Sequence, residues 1–244
     1  MKKTVLITGS SRGIGRAMAQ VFAWNDYNVV INYVQAEREA RELEQKLIKQ
    51  GCNVFVCRAD VTKKEQVTAM IATGEKLFGS IDLLINNAGI SQFKLFTEVS
   101  EAEWEMMLNT HLKGMFNCCQ AVLPQMIRRK KGKIINISSI WGLIGASCEV
   151  PYSTAKAGMI GFTKALAKEV GPSGIRVNCI APGIVKTEMN EGLTESEKKQ
   201  LREETPLLRF GRPEEIAHLA LYLASPEADF ITGQVISPNG GFVI

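Results

Sequence analysis

The sequence contains few of the residues from which metal sites and disulfide frameworks are built. Only two histidines occur, His111 and His218, and none of the six cysteines forms a Cys-x-x-Cys pair. Structural zinc sites need four closely spaced Cys or His ligands, so the sequence predicts no metal site. The cysteines lie mostly in apolar contexts, which is typical of free thiols in a reducing compartment.

Long apolar runs and dense clusters of one charge are also missing. The apolar run at the amino terminus is broken at Gly9, and no segment approaches the roughly 20 apolar residues of a spanning helix. The net charge of +4 is spread along the chain, whereas nucleic-acid-binding proteins concentrate their basic residues. We therefore expect a cytoplasmic protein that binds neither a membrane nor a nucleic acid.

The sequence does contain a regular alternation of short β-branched segments and longer helical patterns. Several of the predicted strands are apolar on both faces, as a parallel sheet covered by helices requires. The alternation predicts one α/β domain over residues 1–244, with a Rossmann-type, doubly wound parallel sheet of about seven strands and helices on both faces. Strands are expected at 4–8, 28–33, 53–56, 83–86, 133–138, 175–180 and 234–237, and helices at 14–24, 36–50, 64–78, 101–129, 153–170 and 213–224.

One irregular segment interrupts this alternation. Residues 184–210 are polar and charged over much of their length, and the segment is too long for an ordinary connection. A mobile substrate lid is the interpretation that we favour. A plain surface insertion is the alternative.

A glycine-rich loop follows the first predicted strand and opens the first predicted helix. From Thr8 to Gly15 it reads Thr-Gly-Ser-Ser-Arg-Gly-Ile-Gly. Glycines permit a tight turn, and the helix N-terminus offers unpaired N–H groups and a positive dipole to a pyrophosphate. The strand-loop-helix context therefore predicts a dinucleotide site.

The end of the second strand indicates which dinucleotide is bound. NAD enzymes place Asp or Glu there to bind the ribose 2′-OH, but this strand ends at Asn32-Tyr33 without a carboxylate. Arg12, and Arg38 as a second cation, could pair with a 2′-phosphate. The sequence thus favours NADP(H). Two points oppose this interpretation: Arg12 could be a solvated surface residue, and Glu37 is a nearby carboxylate.

Tyr152 and Lys156 lie four residues apart and hence on one face of a predicted helix. A nearby ammonium and the positive end of the helix dipole both favour the phenolate, so Tyr152 could exchange a proton with a carbonyl or alcohol oxygen. Ser139 follows the fifth strand, where it could stabilise charge on that oxygen. Nucleophilic chemistry at Ser139 is disfavoured because the sequence places no suitable His and acid with it and Ser139 does not lie in a Gly-x-Ser-x-Gly elbow.

These motifs occur in the order that is typical of one family. The glycine loop, Asn86-Asn87-Ala88-Gly89, Ser139, Tyr152-x-x-x-Lys156 and Pro182-Gly183 resemble the short-chain dehydrogenase/reductase family over essentially the whole chain. The ending from Ile231 to Gly241 is most similar to its 3-oxoacyl-[acyl-carrier-protein] reductase branch.

The resemblance implies a homotetramer, built partly through the helices at 101–129 and 153–170, and the catalytic residues Ser139, Tyr152 and Lys156. It also implies that Asn86 shapes the sheet. The dinucleotide would be bound by Gly9, Ser11, Arg12, Gly13, Ile14, Gly15, Asn32, Tyr33, Asp60, Val61, Asn87, Ala88, Gly89, Ile137, Tyr152, Lys156, Pro182, Gly183, Ile184 and Thr187.

One position departs from the family pattern. His111 stands where the family has a catalytic Asn, which supports a water between the lysine and solvent, largely through its backbone carbonyl. Any residue supplies that carbonyl, so the relay could persist. A histidine could also titrate near neutral pH, or be purely structural.

Several substrate classes fit these motifs. The resemblance favours a 3-oxoacyl thioester of fatty acid synthesis, with acyl carrier protein received at the basic cluster Arg128–Lys131, although such charges also suit a helix C-terminus. Apolar residues near the site, including Phe93, Trp141 and Leu143, fit many substrates. Another NADP-dependent alcohol or ketone dehydrogenase and a non-catalytic dinucleotide-binding protein are the alternatives.

Overall fold

The computed structural model describes residues 2–190 and 192–244. Its strands are β1 (Thr4–Ile7), β2 (Asn28–Tyr33), β3 (Val54–Arg58), β4 (Ile81–Asn86), β5 (Gly132–Ile137), β6 (Ile175–Ile180) and β7 (Val235–Ile236). They form one parallel sheet in the order β3-β2-β1-β4-β5-β6-β7. The predicted α/β fold is confirmed.

Helices cover both faces of this sheet. They are α1 (Gly13–Trp24), α2 (Glu37–Lys49), α3 (Lys64–Phe78), α4 (Glu101–Leu108), α5 (Gly114–Arg129), α6 (Trp141–Ile144), α7 (Val150–Val170), α8 (Glu195–Glu203) and α9 (Pro213–Ala224). Phe22, Leu43 and Leu223 belong to one buried cluster, whereas Met70 and Met126 belong to a second one. Two separate apolar clusters explain why β1 and β2 are buried along their whole length.

The predicted helix at 101–129 is not continuous. Its start is confirmed, because Ser100 and Glu103 form a reciprocal capping box. Between α4 and α5, however, Asn109–Lys113 form a π-helical turn. A π turn inserts one extra residue into a helix and is frequent at functional sites. Here it buries His111 against the backbone of Ile90.

The segment at 184–210 is less irregular than its composition suggests. Residues 195–203 form α8, whose first turn is closed by a capping box between Thr194 and Glu197. The two ends of the segment lie side by side, with Lys186 N donating to Gly211 O at 2.9 Å and Gly211 N donating to Ile184 O at 2.8 Å. These contacts join the two ends of the segment to each other. Function as a lid remains a prediction.

Over the described residues 2–190 and 192–244, no helix combines the length and the hydropathy that crossing a membrane requires.

Candidate active site

The glycine loop joins β1 to α1 in a conformation that only glycine adopts easily. Gly9 and Gly13 have φ of 61° and 54°, in the left-handed region. A Cβ on Gly9 would lie 2.8 Å from Ala88 Cα. No side chain caps the start of α1, and its first turn contains no acidic residue. Its N–H groups are thus open to an anion, so this loop fits the pyrophosphate of a dinucleotide.

Two asparagine side chains hold this loop in place. Asn32 accepts a hydrogen bond from Gly9 N at 3.1 Å, and the Asn87 amide donates to Gly9 O at 3.0 Å. Tyr33 is also buried, and burial together with a hydrogen bond to Glu37 raises its pKa. Since the side chains of Asn32 and Tyr33 are engaged within the protein, their contact with a ribose remains a prediction.

Several cations surround the end of β2. Arg12 is exposed, and Arg38 pairs with Glu39 and Glu42 on α2. Arg58, which sequence reasoning missed, donates from Nε to Val34 O at 3.2 Å. The register pairs Tyr33 with Arg58. Its position as the last residue of β3, the strand next to β2, is the signal by which the sequence could have identified Arg58.

The other predicted dinucleotide residues lie along the same carboxyl edge of the sheet. Thr187, after β6, reaches the glycine loop, because its Cγ2 is 3.4 Å from where a Cβ on Gly13 would be. Gly183 packs against Asn239, because a Cβ on Gly183 would lie 2.7 Å from Asn239 Cα. The ends of β1, β4, β5 and β6 therefore lie along one edge of the sheet, which is where the switch-point rule expects a ligand.

Ser139, Tyr152 and Lys156 form the centre of the site. Ser139 follows β5, and the other two lie in the first two turns of α7, which has Pro151 near its start. A Cβ on Gly142 would be 2.7 Å from the Lys156 carbonyl carbon, and Ser138 Oγ donates to Lys156 O at 2.8 Å. The segment after β5 is thus fixed directly on α7.

Burial governs the protonation of the central side chains. Lys156 Nζ donates to Ile137 O at 2.8 Å and lies 5.4 Å from the centre of the Tyr152 ring. Burial lowers the pKa of Lys156 to about 8. Burial also raises the pKa of Tyr152, the Ser139 hydroxyl partly offsets this, and Glu149 adds to it. The expectation that Lys156 and the helix dipole make Tyr152 acidic is therefore wrong for the protein alone, because desolvation dominates.

His111 is buried beside this centre. Its Nε2 is 2.8 Å from Ile90 O, and its ring meets that of Tyr152 edge-on with centroids 5.5 Å apart. Nδ1 has no hydrogen-bond partner in the described structure. Burial, followed by the charge of Lys156, lowers the pKa of His111 to about 3. The imidazole is thus neutral, and titration near neutral pH is excluded for the protein alone.

The basic cluster Arg128–Lys131 lies at the opposite edge of the sheet. It precedes β5, whereas Ser139 follows it, and six strand residues span about 20 Å. Arg129 is not free for docking, because it donates to Asp82 at 2.9 Å and to Ile81 O at 2.7 Å.

Among the described residues, no group of three or more His, Cys, Asp or Glu side chains could hold a metal ion.

Known proteins show the same relationship that the motifs suggest. A family model described as enoyl-(acyl carrier protein) reductase matches residues 9–243. The chain is 42% identical to the 3-oxoacyl-[acyl-carrier-protein] reductase FabG of Staphylococcus aureus, with 99% of this chain and 98% of the relative covered. It is 43% identical to that of Staphylococcus epidermidis (99% and 99%) and 44% identical to that of Chlamydia muridarum (99% and 97%). With its parallel sheet, glycine loop and Ser139–Tyr152–Lys156 centre, the chain belongs to the short-chain dehydrogenase/reductase family and is an oxidoreductase that uses a nicotinamide dinucleotide.

Proposed function

We propose that the protein reduces a 3-oxoacyl thioester, carried on acyl carrier protein, to the 3-hydroxy product with NADPH in fatty acid synthesis. The observation that carries the proposal is the proximity of Ser139, Tyr152 and Lys156 at the carboxyl edge of the sheet, the edge that also carries the open N-terminus of α1. The 42–44% identity to enzymes named for this reaction supports the substrate class. The expected cytoplasmic location belongs to the same proposal.

Ser139 and Tyr152 act on the ketone oxygen. The bound dinucleotide supplies a hydride to the ketone carbon. Trp141 N donates to Ser139 Oγ at 3.2 Å, which leaves the serine proton to be donated to the substrate oxygen. The raised pKa of Tyr152 keeps the phenol protonated at neutral pH. That is the form required to give a proton to the oxygen during reduction.

Lys156 and His111 have supporting roles. Lys156 is held at Ile137 O, where its ammonium would bind the ribose hydroxyls of the dinucleotide and could replenish the proton of Tyr152. With Nε2 donating to Ile90 O at 2.8 Å, the shorter of its two contacts, rather than accepting from Ile90 N at 3.2 Å, Nδ1 is left as a buried acceptor. Leaving such an acceptor unpaired costs about 1–3 kcal/mol. A water between Nδ1 and Lys156 would satisfy both groups and continue the proton path.

The preference for NADP(H) rests on the cations at the end of β2. Arg12, Arg38 and Arg58 surround a strand end whose own residues carry no carboxylate, although Glu37 bonds to Tyr33 and Glu39 partly neutralises Arg38. The test is the ratio of kcat/KM for NADPH to that for NADH. Arg12→Ala and Arg58→Ala should each lower it about tenfold or more, with Arg16→Ala as a control on α1. Equal use of NADH by the wild type would refute this preference.

Assembly and carrier docking complete the proposal. The apolar residues Met106, Phe116 and Ile127 on α4 and α5 are about half exposed, which supports a homotetramer joined through these helices.

Because the basic cluster Arg128–Lys131 lies at the far edge of its own sheet, it would receive a carrier whose acyl group enters another subunit. Charge reversal at Lys130 and Lys131 should then raise KM for the carrier-bound substrate only.

The deciding experiment is NADPH oxidation with acetoacetyl thioesters beside sugar, steroid and simple ketones. We expect thioesters to be preferred, and Tyr152→Phe to abolish turnover while NADPH still binds. A large preference for a non-thioester would replace the fatty-acid assignment by another ketone reductase. Unchanged turnover in Tyr152→Phe would refute the mechanism, and binding without any turnover would indicate a non-catalytic protein.

A further inference from the structure

The carboxyl-terminal tail reaches back to the segment that carries Ser139. The rings of Trp141 and Phe242 meet edge-on, with centroids 5.6 Å apart and planes at 84°. These residues are 101 positions apart in the sequence, and both are only partly buried. We call this pair the aromatic wall. Edge-on contact is a preferred geometry for aromatic pairs, so the two rings stabilise each other's position.

Both halves of the wall are fixed to the site. Trp141 packs against the small cluster that contains Tyr152, and its backbone N–H donates to Ser139 Oγ. Phe242 belongs to a tail held by Asn239, whose amide donates to Val243 O and whose Oδ1 accepts from Gly241 N, both at 2.8 Å. The wall therefore stands at a set distance from the reacting groups.

The same tail also contacts the segment at 184–210. Leu207 N donates to Gly240 O at 3.1 Å. A Cβ on Gly240 would lie 2.7 Å from Thr205 Cγ2, and one on Gly241 would lie 2.9 Å from Pro206 Cγ. The tail thus contacts both the segment at 184–210 and, through Phe242, Trp141. Leu143 and Ile144, which are 41% and 55% exposed, continue the apolar surface beyond Trp141.

We propose that the aromatic wall binds the acyl arm of the substrate and sets the preference for acyl-chain length. This inference rests on the proposed function. A 3-oxoacyl thioester has a polar thioester arm and an apolar acyl arm on either side of the ketone. Each methylene that moves from water to an apolar surface stabilises binding. The two rings, together with Leu143 and Ile144, therefore favour the acyl arm over the polar thioester arm, and affinity rises with the length of the acyl chain.

The test compares kcat/KM for acetoacetyl, 3-oxooctanoyl and 3-oxododecanoyl thioesters of one carrier. We expect Phe242→Ala to lower the value for the two longer substrates about five- to tenfold more than for acetoacetyl, mainly through KM. Trp141→Leu should act in the same direction, and the double variant should lose less than the two single losses combined, because the rings depend on each other.

Phe230→Ala is the matched control, since Phe230 is fully exposed and lies outside the wall. If Phe242→Ala does not fold, Phe242→Leu keeps an apolar side chain without the ring edge and should give a smaller change of the same sign. An unchanged chain-length ratio in the folded Phe242 variant, or an equal change in Phe230→Ala, would overturn the inference. Rejection of every thioester by the wild type would instead refute the proposed function.

Discussion

Replacing His111 by Asn should make the protein less sensitive to acid. Burial and Lys156 lower the pKa of His111 from 6.5 to about 3, so the folded protein excludes a proton that the unfolded chain takes up below pH 6.5. The contribution of the neutral imidazole to the free energy of unfolding is complete above pH 6.5 and is lost as the pH falls toward 3. The slope is about 1.4 kcal/mol per pH unit, which gives a loss of about 2 kcal/mol between pH 6.5 and 5.

The assay is urea unfolding at fixed protomer concentration, at several values between pH 5 and 8. Wild type and His111→Asn should differ by about 2 kcal/mol in the change between pH 6.5 and 5. His218→Asn is the matched control, because His218 is exposed on α9. Parallel curves for wild type and His111→Asn would show that His111 is not held neutral, and the account of Nδ1 as a free acceptor would fail with it.

Three other predictions follow from the site and its supports. NADPH binding to the free enzyme should weaken as the pH rises through about 8, where Lys156 loses its proton, and Lys156→Met should remove this dependence in a fluorescence titration. Gly15→Ala should abolish NADPH binding in the same titration, because the new Cβ would lie 2.8 Å from Ser10 Cα; binding within twofold of wild type would contradict this. Arg129→Ala should lower the free energy of unfolding by about 1–3 kcal/mol by leaving Asp82 without its charged partner, whereas Lys131→Ala should change it by less than about 0.5 kcal/mol, and equal urea midpoints for the two variants would disprove the structural role.

Patterns with a strong period determined the fold prediction. Asn28–Tyr33, Lys64–Phe78 and Pro213–Ala224 have the predicted bounds, since their apolar spacing and end signals agree. The predicted helix at 101–129 contains a π turn, which has no comparable local signature: His111-Leu112-Lys113 reads as ordinary helix. For α8 a signal was present, because Thr194 and Glu197 have the capping-box spacing.

The site was predictable in its residues but not in its electrostatics. Spacing placed Tyr152 and Lys156 on one helix face, and strand order placed Ser139 near them. Spacing carries no information on burial, however, and burial is what raises the pKa of Tyr152 and lowers that of Lys156. The contact between Trp141 and Phe242 was likewise hidden, because it depends on where a tail 101 residues away returns.

The strand order has a consequence for how the chain assembles during synthesis. β1 lies between β2 and β4, and its pairing with β4 joins residues 4–7 to residues 81–85. The start of the glycine loop after β1 is hydrogen-bonded to Asn87 and Ala88, just beyond β4. A ribosome adds about 5–20 residues per second. One edge of β1 therefore stays unpaired for several seconds, until β4 has been synthesised. We expect the nascent chain to be most prone to aggregation in that interval, before any residue of the catalytic centre has been made.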